Sequence, residues 1–166
     1  MHTGNVVVAW VFMVQDRLRE QMRRIGVEQR DLAALTLVAA YEDCSQDWLR
    51  ARIDLTQSGT VRLVDRLAAR GFLERGQSSG RGVPLRLTAD GSALLDQWAQ
   101  ARDRVVASVL ETLPEPTGAV LVQGMTDALG AQPRLRAQAD ANCRVCTWPA
   151  CGADCPVDRS VAPGPQ

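Results

Sequence analysis

A change in hydrophobic period midway along the chain constrains the fold more than any other feature. Up to residue 69, apolar side chains recur at spacings of three and four, the pattern of amphipathic helices. Two short alternating segments follow at 71–75 and 83–88, and a polar, glycine-rich stretch at 76–82 joins them. This pattern predicts a two-stranded hairpin. Pro84 confines its strand to a sheet edge because proline has no N–H for the ladder. We therefore expect a mainly α fold with a small β-wing.

Apolar stripes and capping residues predict the helices around this hairpin. Asp31, Ser45 and Thr56 precede helical stripes and are predicted N-caps, and Thr88 starts the longest helix. The first and fifth helices carry apolar stripes that exceed the needs of one small core, which favours contacts with a second subunit. The predicted helices cover approximately residues 5–25, 31–41, 45–53, 56–69, 89–113, 117–129 and 134–141.

The charged residues argue against an enzyme with its own acid–base chemistry. All 19 basic residues are arginine, and the only histidine is His2 at the terminus, where it is a poor general base. Residues 45–90 contain eight arginines and five acidic residues within a chain of zero net charge. A locally basic middle is compatible with a surface that faces nucleic acid.

The apolar run at 5–14 is the one segment that invites comparison with a targeting or membrane sequence. It is far shorter than the roughly 20 residues that span a bilayer. No basic residue precedes it and no small-residue cleavage site follows it. We therefore expect a cytoplasmic protein without a membrane segment.

The order of three helices and a hairpin is that of a winged helix-turn-helix. In that fold a tight turn, here Asp54–Thr56, delivers the next helix into the major groove. Burial of the apolar stripe of the fourth helix leaves its polar side chains outward, and arginine can read guanine through two hydrogen bonds. Asp65 would repel phosphate on this face unless a neighbouring arginine pairs with it. The candidate DNA contacts are Gln57, Ser58, Thr60, Arg62, Arg66 and, in the wing, Arg81.

These candidates have simpler alternatives. An arginine on an exposed helix face most often only solvates the helix, and Gln57 and Ser58 can be mere capping residues. The whole module could also bind protein instead of DNA.

The segment from Leu55 to Arg75, LTQSGTVRLVDRLAARGFLER, resembles the recognition helix and first wing strand of MarR-family transcriptional regulators. The segment LRLTADG at 85–91 is similar to the Leu-Thr-x-x-Gly signature of that family. The resemblance covers about residues 5–130. It implies a homodimer whose first and last helices intertwine, with two recognition helices on a pseudo-palindromic DNA operator.

The resemblance also implies roles in the wing and between the lobes. The family wing usually carries Asp-x-Arg, in which the aspartate braces an arginine that enters the minor groove. This chain has Ser79-Gly80-Arg81, so Arg81 keeps the role while Ser79 cannot supply the charge, and Asp65 or another acid is left to brace it. Family members often take small aromatic effectors between the dimer helices and the DNA-binding lobe. Here Trp10 and Trp98 would line that space, although either is more often core.

Four of the five cysteines form a compact cluster near the C-terminus with the spacing C-x2-C-x4-C-x3-C. Disulfides do not persist in the cytoplasm, so such a set indicates a metal site. Four thiolates suit tetrahedral zinc or an iron–sulfur cluster. The compact spacing and the final Cys-Pro favour iron–sulfur, while zinc and metal-free thiol switching remain alternatives. The predicted ligands are Cys143, Cys146, Cys151 and Cys155.

The cluster is similar to the C-terminal cysteine clutch of redox-sensing MerR-family regulators, which hold a two-iron cluster after their dimerisation helix. That similarity covers about 15 residues, and in those regulators a single residue separates the second and third cysteines. Trp148 is predicted to pack over the site as a lid or, equally, to lie in the core of the dimer. Cys44, on or after a helix, is most simply a buried small residue.

The sequence thus predicts a homodimeric, sequence-specific transcriptional regulator without enzymatic activity. Its iron–sulfur site is expected in the dimer interface, where a change of cluster state alters the angle between the recognition helices. One alternative is a regulator with a purely structural zinc and a small aromatic effector. Another is a metal-binding adaptor that pairs with protein and binds no DNA. The predicted domains are dimerisation helices at 5–27 and 89–141, the winged helix-turn-helix at 28–88, the metal-binding segment at 142–158 and a disordered tail at 159–166.

Overall fold

A computed structural model describes residues 2–77 and 82–162 of the chain. It confirms the predicted fold class, with a mainly helical chain and one small antiparallel sheet. The elements are α1 (His2–Arg24), α2 (Gln29–Ala40), α3 (Gln46–Ile53), α4 (Gln57–Ala69), β1 (Leu73–Arg75), β2 (Leu85–Leu87), α5 (Ala89–Leu110), α6 (Thr117–Gly130), α7 (Arg136–Asn142), α8 (Trp148–Cys151), a 3-10 turn (Gly152–Asp154) and α9 (Pro156–Arg159).

The helix starts follow the capping chemistry of the sequence, with one correction. Ser45, Thr56 and Thr88 each accept a hydrogen bond from the backbone N–H three residues later, at 3.1 Å in every case. Asp31, however, does not cap α2. Glu28 is the N-cap, and the Asp31 carboxylate reaches back to accept a bond from the Glu28 backbone N–H at 3.2 Å. The acid three residues into the helix therefore completes a capping box.

The wing is the predicted hairpin, and it is anchored on both sides. Leu73 of β1 pairs with Leu87 of β2, and the inward-facing Leu73 is buried. At Pro84 the chain forms a bridge to Ser45, the N-cap of α3. Gly91, in the first turn of α5, lies so close to the wing that an added Cβ would stand 2.2 Å from the carbonyl oxygen of Phe72. The close approach explains why a glycine occupies this position.

The main core lies between α2, α3, α4, the wing and the first half of α5. Every residue of α2 from Asp31 to Val38 is buried, so this helix runs through the centre of the lobe. Trp98 of α5 is only 2% exposed and packs in the same core. The expectation that Trp98 is a core residue is therefore confirmed.

The N-terminal half of α1 and all of α6 leave apolar side chains uncovered. Val6, Val7 and Val8 are consecutive and therefore point to different sides of α1, yet all are more than half exposed. In α6 no residue is buried, and Val120 is 65% exposed. Exposed apolar surface on this scale indicates an interaction site. Within residues 2–77 and 82–162, no helix has the length and apolarity to cross a membrane.

Residues 159–162, predicted to begin a disordered tail, are paired with the start of the α7 segment. The backbone of Arg134 donates to the Ser160 carbonyl and accepts from the Ala162 N–H, each at 3.0 Å. The buried Arg134 guanidinium also bonds the Ser160 hydroxyl. The polar composition of this segment suggested disorder, but its hydrogen bonds to Arg134 hold residues 160–162 against the chain that precedes α7. Residues 163–166 lie outside the described part of the chain.

Candidate nucleic-acid interface and cysteine site

The turn between α3 and α4 has the tight geometry of a helix-turn-helix. Asp54 takes a left-handed backbone conformation with φ 51°, which aspartate tolerates better than most residues. Leu55 follows and packs against the main core, and Thr56 caps α4. The predicted turn is therefore present, and it presents the first turn of α4 to solvent.

The outer face of α4 carries three of the predicted DNA contacts. Gln57, Ser58 and Arg62 are all exposed. Among the residues described, Arg62 makes no ion pair, so its guanidinium is available for a base edge or a phosphate. Val61 lies on the same face, 40% exposed, and was not among the residues singled out from the sequence. An apolar side chain there suits the methyl group of thymine.

Two predicted contacts on α4 have structural partners instead. Thr60 is 1% exposed, and its hydroxyl donates to the carbonyl of Thr56, so its side chain faces the interior and its contact with DNA stays a prediction. Arg66 donates to the buried carboxylate of Asp31, which Arg70 also approaches at 3.6 Å. The two arginines fasten the end of α4 to α2, because together they compensate the buried charge of Asp31. A contact between Arg66 and DNA stays a prediction.

The acidic residue near the outer face of α4 is paired with an arginine. Asp65 accepts a hydrogen bond from Arg75 of β1 at 2.5 Å. This pairing removes the repulsion that an isolated carboxylate would exert on phosphate. Arg81 and its neighbour Ser79 lie outside the described residues, so their predicted role in the wing is untested.

The four clustered cysteines line one cavity of about 150 Å³. Cys143 follows α7 and is buried, Cys146 and Cys155 are half-buried, and Cys151 at the end of α8 is exposed. Within residues 2–77 and 82–162, no group of three or more His, Cys, Asp or Glu side chains already has metal-binding geometry. The thiols thus share a pocket without forming a closed coordination shell. Their chemistry, four soft sulfur donors, fits zinc or an iron–sulfur cluster.

Charge within the cavity favours one thiolate. The thiols of Cys143 and Cys146 are hydrogen-bonded, which lowers the pKa of Cys146 to about 7, and the nearby Arg102 guanidinium acts in the same direction. The same hydrogen bond, with burial, raises the pKa of Cys143. Burial raises the pKa of Cys151 as well.

Asp140 of α7 joins the cysteine segment to the helix-turn-helix. Its carboxylate is fully buried and accepts three hydrogen bonds, from the Tyr41 hydroxyl at 2.9 Å and from the Nε atoms of Arg52 and Arg136 at 2.8 Å. Burial and this hydrogen bond to Asp140 raise the pKa of Tyr41 to about 12. The Arg52 guanidinium also lies 3.7 Å from the centre of the Trp48 ring. Sequence reasoning missed this cluster.

The loop that carries Cys146 also packs on α5 and on the end of α2. Trp98 Nε1 donates to the Val145 carbonyl, and Arg102 donates to the Thr147 hydroxyl, both at 2.9 Å. Trp148 donates to the carbonyl of Cys143 and meets the Tyr41 ring edge-on at 5.4 Å. Trp148 thus lines the cysteine cavity, and its role as a lid over a bound metal stays a prediction. The segment packs on α5 and on the end of α2 of the same chain. The predicted place of residues 89–141 among the dimerisation helices, which includes most of α7, stays a prediction.

A second cavity, of about 470 Å³, lies between α2, α5 and the cysteine segment. Trp98 and Trp148 contribute to its wall, as do Leu95 and Cys146. It is large enough for a small aromatic molecule. Trp10, the other predicted lining residue, is half-buried on α1 and does not line this cavity.

Cys44 is the fifth cysteine, and the structure confirms it as a buried small residue. Its side chain is 9% exposed within the main core. Burial raises the pKa of its thiol to about 11. Its carbonyl accepts from the Leu85 N–H at 3.0 Å, which ties the wing to the end of α2.

Known proteins share part of this sequence pattern and most of this fold. Residues 25–82 match the model of the MarR family. Among solved structures, the YusO protein of Bacillus subtilis is 19% identical, with a TM-score of 0.69 over 78% of this chain and 94% of that chain. A MarR-family transcriptional regulator from Rhodococcus sp. RHA1 is 24% identical, with a TM-score of 0.61 over 78% and 91%. Apo MarR from E. coli is 19% identical, with a TM-score of 0.62 over 76% and 96%.

No curated protein sequence matches the chain. The family match ends at residue 82, before the cysteine segment begins. MarR-family proteins are DNA-binding regulators and not enzymes, in agreement with the prediction from the charged residues. The family match covers the helix-turn-helix and the first wing strand, and the solved structures share the winged-helix fold over about three quarters of the chain.

Proposed function

We propose that the protein is a homodimeric, sequence-specific DNA-binding transcriptional regulator. The observation that carries the proposal is the outer face of α4, where Gln57, Ser58, Val61 and Arg62 are exposed after a tight turn. Polar, cationic and apolar groups on one helix face suit the mixed donors, acceptors and methyl groups of the major groove. Arg81 in the wing is proposed to reach the minor groove.

The uncovered faces of α1 and α6 support the homodimer. MarR-family proteins act as dimers. In this chain the exposed valines of α1 and the exposed Val120 of α6 would be covered by a second copy. A twofold dimer carries two copies of α4, so the proposed operator is a pseudo-palindrome.

Fluorescence anisotropy with DNA from the promoter region of its own gene tests the proposal. We expect binding that depends on sequence and weakens as salt rises, because phosphate contacts release counterions. A scrambled duplex of equal length and composition is the control. Absence of sequence-dependent binding in both metal-loaded and metal-free protein would defeat the proposal. Capture of a protein partner by such non-binding protein would favour the adaptor alternative.

We propose further that Cys143, Cys146, Cys151 and Cys155 hold an iron–sulfur cluster whose state sets DNA affinity. Support comes from the shared cavity, which all four cysteines line. Zinc is the alternative metal for the same four thiols. Protein purified without oxygen after iron-replete expression should be brown and contain iron and sulfide. A colourless preparation with stoichiometric zinc would assign a zinc site instead.

The cavity beside Trp98 favours a second mode of control by a small aromatic effector. In that alternative the metal is a structural zinc, and the effector binds between α2 and α5. Calorimetric titration with a panel of aromatic carboxylates distinguishes the two modes. Binding that persists with metal-free protein and changes DNA affinity would favour the effector.

A further inference from the structure

Asp140 of α7 lies between the C-terminal cysteine segment and the helix-turn-helix. Arg52 belongs to α3, the first helix of the helix-turn-helix, while Arg136 belongs to α7, and both donate to the same buried carboxylate. The Tyr41 hydroxyl donates to it from the end of α2. A buried carboxylate that loses such partners becomes an uncompensated charge. Moving α7 away from α3 would therefore cost free energy, because the buried carboxylate would lose the Arg52 guanidinium.

Asp140 is also coupled closely to the cysteines. The Cys143 N–H donates to the Ala139 carbonyl at 3.0 Å, so Cys143 completes the last turn of the seven-residue helix that carries Asp140. Arg136 donates to Asp158, which follows Cys155, as well as to Asp140. A displacement of either end of the cysteine segment is thus transmitted to α7.

The cysteine segment has very little apolar core of its own. Its buried apolar residues are Ala139, Cys143 and Val157, with Trp148 and Val161 packed at the margin. So small a core contributes little to stability, and in small metal domains metal binding supplies much of the folding free energy. Order in residues 143–161 is therefore expected to depend on ligation of the thiols.

A second connection runs parallel to Asp140. The Trp148 ring lies against Tyr41, the Tyr41 ring centre is 4.5 Å from that of Trp48, and Trp48 is covered by Arg52. Both connections end on α3. Because α3 packs directly on α4, the position of α3 fixes the angle of the recognition helix.

We infer that Asp140 is a positioning residue through which the ligation state of the four cysteines controls α3 within the same protomer. The inference rests on the proposed function. It assigns the coupling between the metal site and DNA binding to the back of the helix-turn-helix instead of the dimer interface. With the metal bound, α7 presses Asp140 against Arg52 and holds α3 in place. Without the metal, α7 loosens and α3 loses two of its supports.

Hydrogen–deuterium exchange of the α3 peptide tests the inference without DNA. The full-length protein is compared after anaerobic loading with ferrous iron and sulfide, or with Zn²⁺, and after removal of metal by a chelator. In the wild type we expect uptake at residues 46–53 to rise on metal removal. In Asp140→Asn, with metal content unchanged, uptake should be the same in both states. The matched control is Asp47→Asn, because Asp47 is also an acidic residue but faces solvent on α3, and it should behave as wild type.

DNA affinity measured on the same samples provides the second readout. The ratio of Kd values for stripped and loaded wild type should be about fivefold or more, the lower range of ordinary coupling between sites. In Asp140→Asn it should fall to about onefold, while Asp47→Asn keeps the wild-type ratio. If Asp140→Asn fails to fold, Arg52→Gln removes the same contact from the α3 side, with Arg50→Gln as its exposed control.

The outcomes separate the inference from the proposed function. Wild-type α3 uptake that does not change on metal removal overturns the inference, even where DNA affinity responds. A wild-type Kd ratio retained in folded Asp140→Asn also overturns it. Uptake that responds in the wild type and not in Asp140→Asn, together with unresponsive DNA affinity, supports the mechanical link and defeats only the proposed sensing.

Discussion

At the scale of single residues, Tyr41 gives a direct measure of the buried cluster around Asp140. It is the only tyrosine in the chain, so the phenolate absorbance reports one site. Burial and the hydrogen bond to Asp140 raise its pKa from 10.0 to about 12. We expect no half-ionisation near pH 10 in the folded protein. In Asp140→Asn the titration should shift to lower pH, because the hydrogen bond to the carboxylate and its charge both raise the pKa.

The same shift makes stability depend on alkaline pH. Because the folded pKa lies above the unfolded one, the contribution of Tyr41 is complete below pH 10 and is lost as pH rises towards 12. Tyr41→Phe should remove that part of the pH dependence, as measured by urea denaturation. An unchanged slope in Tyr41→Phe would show that other groups dominate.

Arg62 is the single residue on which base preference is expected to depend most. Arg62→Ala should relax the preference at one base pair by about 1–3 kcal/mol, because a bidentate contact to guanine is lost. Arg81→Ala should instead lower affinity for all duplexes. Anisotropy with operators substituted one base pair at a time measures both effects. Equal losses on every duplex for Arg62→Ala would assign it to phosphate.

At the scale of elements, the contact between α5 and the wing makes a glycine indispensable. A Cβ at Gly91 would collide with the Phe72 carbonyl at 2.2 Å, whereas one at Gly124 of α6 meets nothing within 4 Å. Gly91→Ala should therefore destabilise the protein by about 1–3 kcal/mol through overpacking. Gly124→Ala should stabilise it by up to about 1 kcal/mol through helix propensity. Urea denaturation measures both, and equal effects would contradict the packing argument.

The elements are also where prediction from the sequence succeeded and where it stopped. Capping oxygens at Ser45 and Thr56, and the change of period at the wing, are local signals, so the helix starts and the hairpin followed from them. The Arg52–Asp140 pair joins residues 88 positions apart, and no local sequence pattern predicts such a long-range contact. The burial of Thr60 was not predicted, because its hydroxyl has a backbone acceptor one turn away, which hydrophobic patterning does not reveal.

At the scale of the whole molecule, the uncovered half of α1 predicts the oligomeric state. Phe12 is 54% exposed beside the exposed valines of α1. Phe12→Glu should convert the proposed dimer to monomer and weaken DNA binding, because a charge would be buried in the interface. Light scattering coupled to gel filtration measures the mass. Val61→Glu, on α4, is the control and should lose DNA affinity while keeping the mass of the wild type.

The docking of the cysteine segment on its own protomer has a consequence for how a dimer would respond to its supply of metal. Each subunit would carry a complete control device, and nothing in that device passes through the twofold axis. Limiting iron or zinc would then produce mixed dimers in which the metal-loaded subunit binds its half-site with high affinity and the metal-free subunit with low affinity. Occupancy of the operator should consequently follow metal supply as a graded dose response rather than as an all-or-none switch.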